Sequence, residues 1–445
     1  MTKIDPYLDP DLNTIPDDTR RIHLTAVCGT GMGALACMLK DLGYEVTGSD
    51  QNVYPPMSDF LAAKGIELFQ GYQAENLDLK PDLVVVGNAI SKDNPEARQL
   101  KKLGLAYCSM PQAVNRFVAA GKQTVIVTGT HGKTTTSAMM SWLLYSAGLD
   151  PSFFVGGILK NFKSNNRIGN GNYFVVEGDE YDTAFFDKGP KFNHYQPAVT
   201  ILTSVEFDHA DIFKDLAHIK SVFQGFLSGL DSESALIVFD GDNNISELSE
   251  HSTAHLQRYG LAQGSDWRLD QIKFDGLASS FDVYKKEAHF GRFKINMMGH
   301  HNLLNALAVI AAADRLGIES QAIADALNTF EGVKRRQEVR GVKNDITVMD
   351  DFAHHPTAVR ETIAAVRAAH PQNRLIAVFE PRTNSSMRDI FQLDYTRVFD
   401  PADLICVRQP PLLEKIPEGQ RFSSRRLVED LNHTGKDAHY FPDTD

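Results

Sequence analysis

The sequence has few cysteines, no excess of basic residues and no long apolar run. Its four cysteines lack CxxC spacing, which excludes a disulfide framework and favours a reducing compartment (Cys28, Cys37, Cys108 and Cys406). Lys and Arg total 45 against 57 Asp and Glu, a formal charge of −12 that argues against a nucleic-acid-binding face. The longest apolar run, residues 306–313, is too short to cross a membrane, and residues 1–20 carry no apolar signal segment. We therefore expect a cytoplasmic protein that binds neither nucleic acid nor membrane.

The 445 residues form three sections in which β-branched runs, glycine turns and amphipathic stretches alternate. This alternation is typical of parallel sheets with crossover helices. We predict an α/β fold of three domains, with bounds at 1–121, 122–340 and 341–445. Residues 267–297 alternate like antiparallel strands, which predicts a small accessory sheet. The third section ends before a doubly wound sheet is complete, so we expect its domain to be incomplete.

A glycine-rich segment follows the predicted strand 124–127 and precedes a predicted helix. Its backbone N–H groups could cradle a phosphate at the helix N-terminus. Lys133 would supply a mobile positive charge for the β- and γ-phosphates, and Thr134 a hydroxyl for Mg²⁺. Val127 occupies the place of the first glycine of GxxxxGK[ST], so a plain strand–turn–helix remains an alternative. The segment comprises Gly129, Thr130, His131, Gly132, Lys133, Thr134 and Thr135.

A second glycine-rich turn matches GxGxxA and has an acid, Asp50, about 20 residues further on. This pattern predicts a phosphate-bearing nucleotide at a helix N-terminus, and a tight turn that packs helix against strand is the alternative. Asn88 follows another predicted strand. The turn itself contains Gly29, Thr30, Gly31, Met32 and Gly33.

Two acidic clusters, residues 177–182 and 206–211, each follow a predicted strand. Oxygen ligands at strand ends opposite a phosphate loop are suited to Mg²⁺. We interpret most of the seven acids as solvated loop residues. Glu177 and His209 are the exceptions, because each lies nearest its strand or within its turn.

Four further segments lie at strand ends or helix starts, where α/β folds bind ligands. They are His300–Asn305, Lys334–Arg336, Asp350–Pro356 and Glu380–Asn384. Each could also be a cap or a turn, and His300 and His355 could be structural or functional.

Taken in order, these segments resemble the Mur ligase family over essentially the whole chain. The resemblance implies a Rossmann-like N-terminal domain, a central P-loop ATPase domain and a Rossmann-like C-terminal domain. It also implies an ATP-dependent amide-bond ligase of peptidoglycan metabolism that uses Mg²⁺ and forms an acyl phosphate on UDP-N-acetylmuramate. Three domains would then serve three substrates and close to exclude water.

The resemblance assigns roles to individual residues. Catalytic roles fall on Lys133, Glu177, His209, His354 and Arg382. Besides the phosphate loop, ATP would contact His301, Asn302, Arg336 and Asp351. The UDP end of the substrate would lie on Gly29–Gly33, Asp50 and Asn88, and the metal on Thr134, Glu177 and His209.

The amine that is joined is open between two members of the family. Residues 181–197, 206–213 and 380–384 favour a recycled murein tripeptide, L-alanyl-γ-D-glutamyl-meso-diaminopimelate, over free L-alanine. Arg382 could provide a planar fork for one distant carboxylate. Residues 181–197, with Lys188 and Lys191 among aromatics, could line an enlarged entry, although they could equally be a surface excursion. More distant alternatives are a nicotinamide-dependent oxidoreductase and a nucleotide-gated binding protein.

Overall fold

The computed structural model describes residues 7–411 and 413–443, and its N-terminal part is a five-stranded parallel sheet. The strand order β3-β2-β1-β4-β5 reverses direction between β1 and β4, the place where open α/β sheets bind ligands. Helices α1, α2 and α3 connect strands of this sheet and α4 follows β5, and the predicted Rossmann-like architecture is confirmed. The elements are β1 (Arg21–Thr25), α1 (Thr30–Asp41), β2 (Glu45–Asp50), α2 (Met57–Ala63), β3 (Glu67–Gln70), β4 (Leu83–Val86), α3 (Pro95–Leu103), β5 (Tyr107–Ser109) and α4 (Met110–Val114).

The central part is built on a ten-stranded sheet with the order β17-β16-β15-β14-β13-β12-β6-β9-β7-β8. Its middle strands are parallel and apolar on both faces, as expected where helices cover a sheet on both sides. The elements are β6 (Gln123–Thr128), α5 (Lys133–Ser146), β7 (Ser152–Leu159), β8 (Ser164–Arg167), β9 (Tyr173–Gly178), β10 (Asp182–Ala184), β11 (Asp187–Pro190), β12 (Pro197–Leu202), α6 (Leu216–Ser228), β13 (Ala235–Phe239), α7 (Asn243–Ser249), β14 (His255–Gly260), β15 (Trp267–Asp275), β16 (Ala278–Lys285), β17 (Ala288–Ile295), α8 (His300–Arg315) and α9 (Ser320–Thr329).

Residues 267–297 do form antiparallel strands, but the prediction of a separate accessory sheet is wrong. The meander β15–β16–β17 continues the main sheet, because β15 pairs with β14 at Tyr259 and Gly260. The apolar side chains of β15 to β17 pack against α8 and α9 in the same core as the phosphate-loop helix α5. The alternation of apolar and polar residues along a strand does not show which other strand it will pair with.

The C-terminal part contains an antiparallel hairpin and a three-stranded parallel sheet of order β20-β21-β22. The proposed division after residue 340 falls inside the first strand of the hairpin. The elements are β18 (Glu338–Lys343), β19 (Ile346–Asp350), α10 (Pro356–Ala369), β20 (Ile376–Phe379), α11 (Tyr395–Val398), β21 (Leu404–Arg408), α12 (Ser424–His433) and β22 (Ala438–Phe441). Within the described ranges, no helix combines the length and apolar character needed to cross a bilayer.

The hairpin β10–β11 joins the central part to the N-terminal sheet. Phe185 and Phe186, at its tip, are buried among N-terminal side chains, and the Phe186 ring lies 4.8 Å from that of Tyr107. The interpretation of residues 181–197 as a surface excursion is therefore wrong. Glu180 directly precedes this segment. The packing of the N-terminal and central parts therefore also helps to position Glu180 beside the phosphate loop.

Candidate active site

The phosphate loop connects β6 to α5, and two glycines allow its tight path. Gly129 has φ of 124°, and a side chain there would come within 2.5 Å of Thr203 Oγ1. Gly132 has φ of 81° directly before α5, and a Cβ there would come within 2.8 Å of Asn305 Oδ1. Other residues would be strained and crowded at both positions. The loop therefore leads directly into the N-terminus of a 14-residue helix, a site suited to anions.

Lys133 lies at the centre of the loop and is buried, so the expectation of a mobile charge is wrong. Its Nζ donates to the Gly129 carbonyl at 2.6 Å and to Glu180 Oε2 at 2.8 Å, and its side chain is only 12% exposed. Burial by itself lowers the pKa of Lys133, but Glu180 and Asp179 outweigh it and raise the pKa above its usual value. The lysine thus stays charged where a phosphate would lie.

His209 contacts the same carboxylate from the other side. Its Nε2 lies 3.1 Å from Glu180 Oε1, and its ring packs 4.2 Å from that of Tyr181. Burial opposes protonation, yet the hydrogen bond to Glu180 raises the pKa of His209 above its usual value. Its φ of 56° is uncommon for a non-glycine residue, and it turns the chain just after Asp208. Glu180 is therefore shared between the two predicted catalytic cations.

Thr134 and Glu177 form the pair of oxygen donors expected for a metal. Thr134 Oγ1 donates to Glu177 Oε2 at 3.2 Å, while Glu177 Oε1 accepts the Gly156 N–H at 2.5 Å. Burial raises the pKa of Glu177, which favours a compensating cation beside it. A hydroxyl and a carboxylate beside a phosphate loop fit Mg²⁺, which takes oxygen ligands and keeps part of its water shell.

The acids of both clusters are less exposed than expected. Glu180 and Asp208 are only 4% and 3% exposed, and among the seven only Asp211 is classed as exposed. Asp179 accepts from Lys191 Nζ at 2.7 Å, and despite its burial this pair lowers the pKa of the carboxyl. The interpretation as solvated loop residues is therefore wrong for Glu180 and Asp208, whereas most of the other acids are partly exposed. Their strands end at one sheet edge, so their charges converge on the loop instead of facing water.

A cavity of about 820 Å³ opens beside the loop, between the central and C-terminal parts. Six of the residues assigned to catalysis or ATP line it from outside the loop and the first acidic cluster, namely His209, His301, Asn302, Arg336, Asp351 and His354. Gln337 ties three of them together: its side chain contacts His301 Nε2 at 3.3 Å and Asn302 at 3.2 Å, and its N–H donates to Asp351 at 2.8 Å. The cavity is large enough for a nucleotide.

Burial shifts the pKa values of two residues in this cavity wall. It lowers the pKa of His301 to about 4 and raises that of Asp351. The neutral imidazole of His301 offers a ring face of low charge beside the cationic loop, as an adenosine moiety would require.

Arg382 lies outside this cavity. Its guanidinium pairs with Glu380, whose other oxygen accepts from Arg408 at 2.6 Å, and the Arg382 side chain is 60% exposed. The loop that carries it nevertheless reaches the second acidic cluster, because Asn384 Nδ2 donates to Asp211 at 3.0 Å. Arg382 is thus available for a ligand that enters between these two loops.

The residues assigned to the UDP end lie in the N-terminal part, away from this cavity. The cavity lining runs from residue 130 to residue 362, so the turn at Gly29–Gly33, Asp50 and Asn88 lies outside it. Asp50 Oδ2 accepts the Cys28 N–H at 3.0 Å and so holds the turn that precedes α1. Gly31 faces Met110 and Phe154, where a Cβ would lie 3.2 Å and 3.7 Å from their side chains. Substitution at Gly31 would therefore disturb packing as well as a ligand.

Several residues that shape the site were not predicted. The sequence interpretation treats Glu180 and Asp208 as solvated, and it assigns no role to Asn305 at the end of the segment His300–Asn305 or to Gln337 directly after Lys334–Arg336. Thr203 and Ser204 follow β12 and hydrogen-bond the loop backbone, the latter through the His131 N–H at 2.9 Å. Only the pairing of β12 with β6 brings these hydroxyls beside the loop.

The fold and the cavity define an α/β protein that has a phosphate loop and consists of three parts. Family models match each part by description: "Mur ligase family, catalytic domain" over residues 21–122, "Mur ligase middle domain" over 127–313 and "Mur ligase, glutamate ligase domain" over 335–445. The chain belongs to the Mur ligase family.

Individual relatives fall in two groups. The UDP-N-acetylmuramate–L-alanyl-γ-D-glutamyl-meso-2,6-diaminoheptandioate ligase of Escherichia coli is 42% identical over 391 residues, covering 88% of this chain and 85% of the relative. A murein peptide ligase structure from Psychrobacter arcticus is 33% identical with a TM-score of 0.71, over 95% and 90% of the two chains. A UDP-N-acetylmuramate–alanine ligase structure from Thermotoga maritima is 25% identical with a TM-score of 0.76, over the same shares.

Proposed function

We propose that this chain joins L-alanyl-γ-D-glutamyl-meso-diaminopimelate to UDP-N-acetylmuramate, with ATP converted to ADP and phosphate. The observation that carries the ligase chemistry is the cavity beside the phosphate loop, where Lys133, Glu180 and His209 meet. The choice of tripeptide is supported by the greater identity to the tripeptide ligase of Escherichia coli and to the murein peptide ligase structure. A place in peptidoglycan recycling in the cytoplasm, where ATP is available, is part of this proposal.

The first step transfers a phosphoryl group. An oxygen of the muramoyl carboxylate attacks the γ-phosphorus, the bond to the β-phosphate oxygen breaks, and ADP leaves. Two anions approach each other in this step, so Lys133 and the loop N–H groups stabilise the charge that develops. Mg²⁺ held by Thr134 and Glu177, with His209 nearby, would neutralise phosphate charge.

The second step forms the amide. The amine nitrogen attacks the acyl carbon, the acyl–oxygen bond to phosphate breaks, and the nitrogen releases one proton. Water would destroy the acyl phosphate, so the buried side chains of Glu180 and Asp208, with His354 3.9 Å from Asp208, serve to exclude it. We assign His301, Asn302, Arg336 and Asp351 to the nucleoside of ATP, and the turn at Gly29–Gly33 with Asp50 and Asn88 to the UDP end.

The tripeptide carries carboxylates several bonds from its reacting amine, so its recognition needs cations set away from the phosphate loop. Arg382 meets this requirement, because it is exposed on a loop that also touches Asp211. Its planar fork suits one carboxylate. Lys191 is already paired with Asp179 and Lys188 with Asp182, so these two lysines contribute less than the sequence suggests.

A second candidate is the L-alanine ligase of the same family, favoured by the TM-score of 0.76 to the Thermotoga maritima structure. The oxidoreductase alternative loses its support, because the GxGxxA turn lies within the family match at residues 21–122.

Mass spectrometry of products tests the proposal. UDP-N-acetylmuramate and ATP·Mg²⁺ are incubated with L-alanine, the tripeptide or a mixture of the two. A UDP-muramoyl-tripeptide that appears with stoichiometric ADP supports the proposal. A UDP-muramoyl-alanine product from the mixture supports the second candidate, and ADP without an amide product contradicts both.

A further inference from the structure

Among residues 7–411 and 413–443, one group of side chains besides the pair Thr134 and Glu177 has the composition of a metal site. His131 lies in the phosphate loop, Glu206 follows β12, and His355 caps α10. One donor atom from each residue lies within 4.8 Å of the other two. The three residues therefore bring together three segments that are far apart in the chain.

The distances fit a small cation. His131 Nε2 lies 3.5 Å from Glu206 Oε2, and His355 Nδ1 lies 3.6 Å from the same oxygen. Ligands about 2.1 Å from a tetrahedral zinc ion are separated by roughly 3.4 Å. A small side-chain rotation that brings the two imidazoles closer would complete the arrangement.

Hydrogen bonds orient the side chains of His355 and Glu206, whose Nδ1 and Oε2 atoms would bind the cation. His355 Nε2 lies 3.1 Å from the Phe207 carbonyl, which requires a proton on Nε2 and leaves a lone pair on Nδ1, facing Glu206. The Thr357 hydroxyl donates to Glu206 Oε2 at 2.7 Å and fixes the carboxylate. Metal-binding histidines commonly donate their second ring nitrogen to a carbonyl in this way.

Without a cation, His131 Nε2 and His355 Nδ1 lack good hydrogen-bond partners. His131 Nε2 is a buried nitrogen that makes no well-formed hydrogen bond, since its neighbour Glu206 Oε2 lies 3.5 Å away. The lone pair of His355 Nδ1 and the charged oxygen of Glu206 face each other, and only a weak 3.3 Å contact from the Thr357 N–H reaches that nitrogen. Buried polar atoms without partners are rare and call for an explanation.

We propose that His131, Glu206 and His355 bind a zinc-type divalent cation that connects the phosphate loop to the start of α10. Two imidazoles and one carboxylate select Zn²⁺ or Co²⁺ over Mg²⁺, which prefers oxygen ligands. A fourth position remains for water. The cation holds the C-terminal part against the loop, so its occupancy sets how firmly these two parts stay together.

Metal titration of the full chain tests the proposal, with Co²⁺ or Zn²⁺ added to protein freed of metal and without ATP or acceptor. We expect Co²⁺ to give the strong visible absorption of a four- or five-coordinate site, Zn²⁺ to displace it, and Zn²⁺ to raise Tm. Glu206→Gln and His355→Gln should each weaken Zn²⁺ binding by roughly 1000-fold, a loss beyond the 10- to 100-fold typical of outer partners. His354→Gln, beside the group, and Glu177→Gln, at the magnesium pair, should retain the absorption.

Zinc-edge X-ray absorption of the unmodified protein decides the matter even if a variant fails to fold. Two imidazole nitrogens with an oxygen shell support the proposal. A spectrum without imidazole, or equal zinc affinity of folded His355→Gln and unmodified protein, overturns it. Because no substrate is present, this outcome is independent of the ligase reaction.

Discussion

Lys133 and Glu180 form a buried ion pair at the phosphate loop, with Nζ 2.8 Å from Oε2. The pair connects the loop to the segment whose Phe185 and Phe186 are buried against the N-terminal sheet. The cation that would bind ATP is thus positioned by a residue whose own place depends on another domain.

The first prediction concerns this pair. Lys133→Met should lower turnover at least about 100-fold, because a donor to the transferring phosphoryl group is lost. It should also destabilise the protein by about 2 kcal/mol, since Glu180 keeps only His209 as partner in a buried site. The double variant Lys133→Met/Glu180→Gln should recover most of the Tm and none of the turnover. Lys64→Met, which breaks an exposed pair with Asp41, is the control and should change neither. Near-normal turnover of Lys133→Met would contradict the role of the loop.

The second prediction concerns Mg²⁺. Glu177→Gln keeps an oxygen for the Gly156 N–H but removes the charge beside Thr134. We expect the Mg²⁺ concentration for half-maximal activity to rise about tenfold or more, since a ligand charge is lost. Asp182→Asn, an acid of the same segment that pairs with Lys188, should leave the Mg²⁺ titration unchanged. Identical titration curves for Glu177→Gln and the unmodified protein would remove Glu177 from the metal site.

The third prediction separates the two nucleotide sites. Asp50→Ala releases the Cys28 N–H and should weaken binding of UDP-N-acetylmuramate by about tenfold, the effect of one charged hydrogen bond. ATP affinity should stay within about twofold, because Asp50 lies outside the cavity beside the phosphate loop. Calorimetric titration with each ligand measures both, and Asp41→Asn on the same domain is the control. Equal losses for both ligands would show that the N-terminal site is assigned wrongly.

Much of the fold and of the candidate site could be predicted from the sequence, because it depends on residues that are close together in the chain. The phosphate loop lies between β6 and α5 as its glycines indicate, and the parallel strands end where their apolar runs end. The burial of Glu180 could not be foreseen, since it depends on a hairpin packing against a different domain. The role of Gln337 is equally hidden: an ordinary residue three positions after Lys334 becomes the hydrogen-bonding centre of the cavity wall only once α8 lies beside it.

The fourth prediction is a pH dependence. Burial lowers the pKa of His301 to about 4, whereas an unfolded histidine titrates near 6.5. As pH falls from about 6.5 to 4, His301 binds a proton in the unfolded chain but not in the folded chain. Stability that is present at pH 7 is therefore lost. Between pH 7 and pH 5 this histidine should contribute a loss of about 2 kcal/mol.

Thermal unfolding of the nucleotide-free protein at pH 7 and pH 5 checks this prediction. His301→Gln should show a smaller fall in Tm than the unmodified protein. The exposed neighbour provides the control, because His300→Gln should retain the full fall. An unchanged fall in His301→Gln would mean that this imidazole is already charged or solvated in the folded state.

The fifth prediction concerns the acceptor. Arg382→Lys preserves charge but loses the planar fork, so we expect kcat/KM for the tripeptide to fall about tenfold, the scale of one paired carboxylate contact. The reaction with L-alanine should be nearly unchanged. Arg426→Lys, on the exposed face of α12, is the matched control. Equal losses for both acceptors would place Arg382 at a step common to the two reactions.

The most direct measurement compares kcat/KM for the tripeptide and for L-alanine with the unmodified protein at saturating ATP·Mg²⁺ and UDP-N-acetylmuramate. Binding energy from the distant part of the tripeptide should appear in turnover as well as in apparent affinity. The account predicts a kcat/KM for the tripeptide at least about 100-fold higher, equivalent to about 2.7 kcal/mol of transition-state stabilisation. A value for L-alanine equal to or above that for the tripeptide would contradict it.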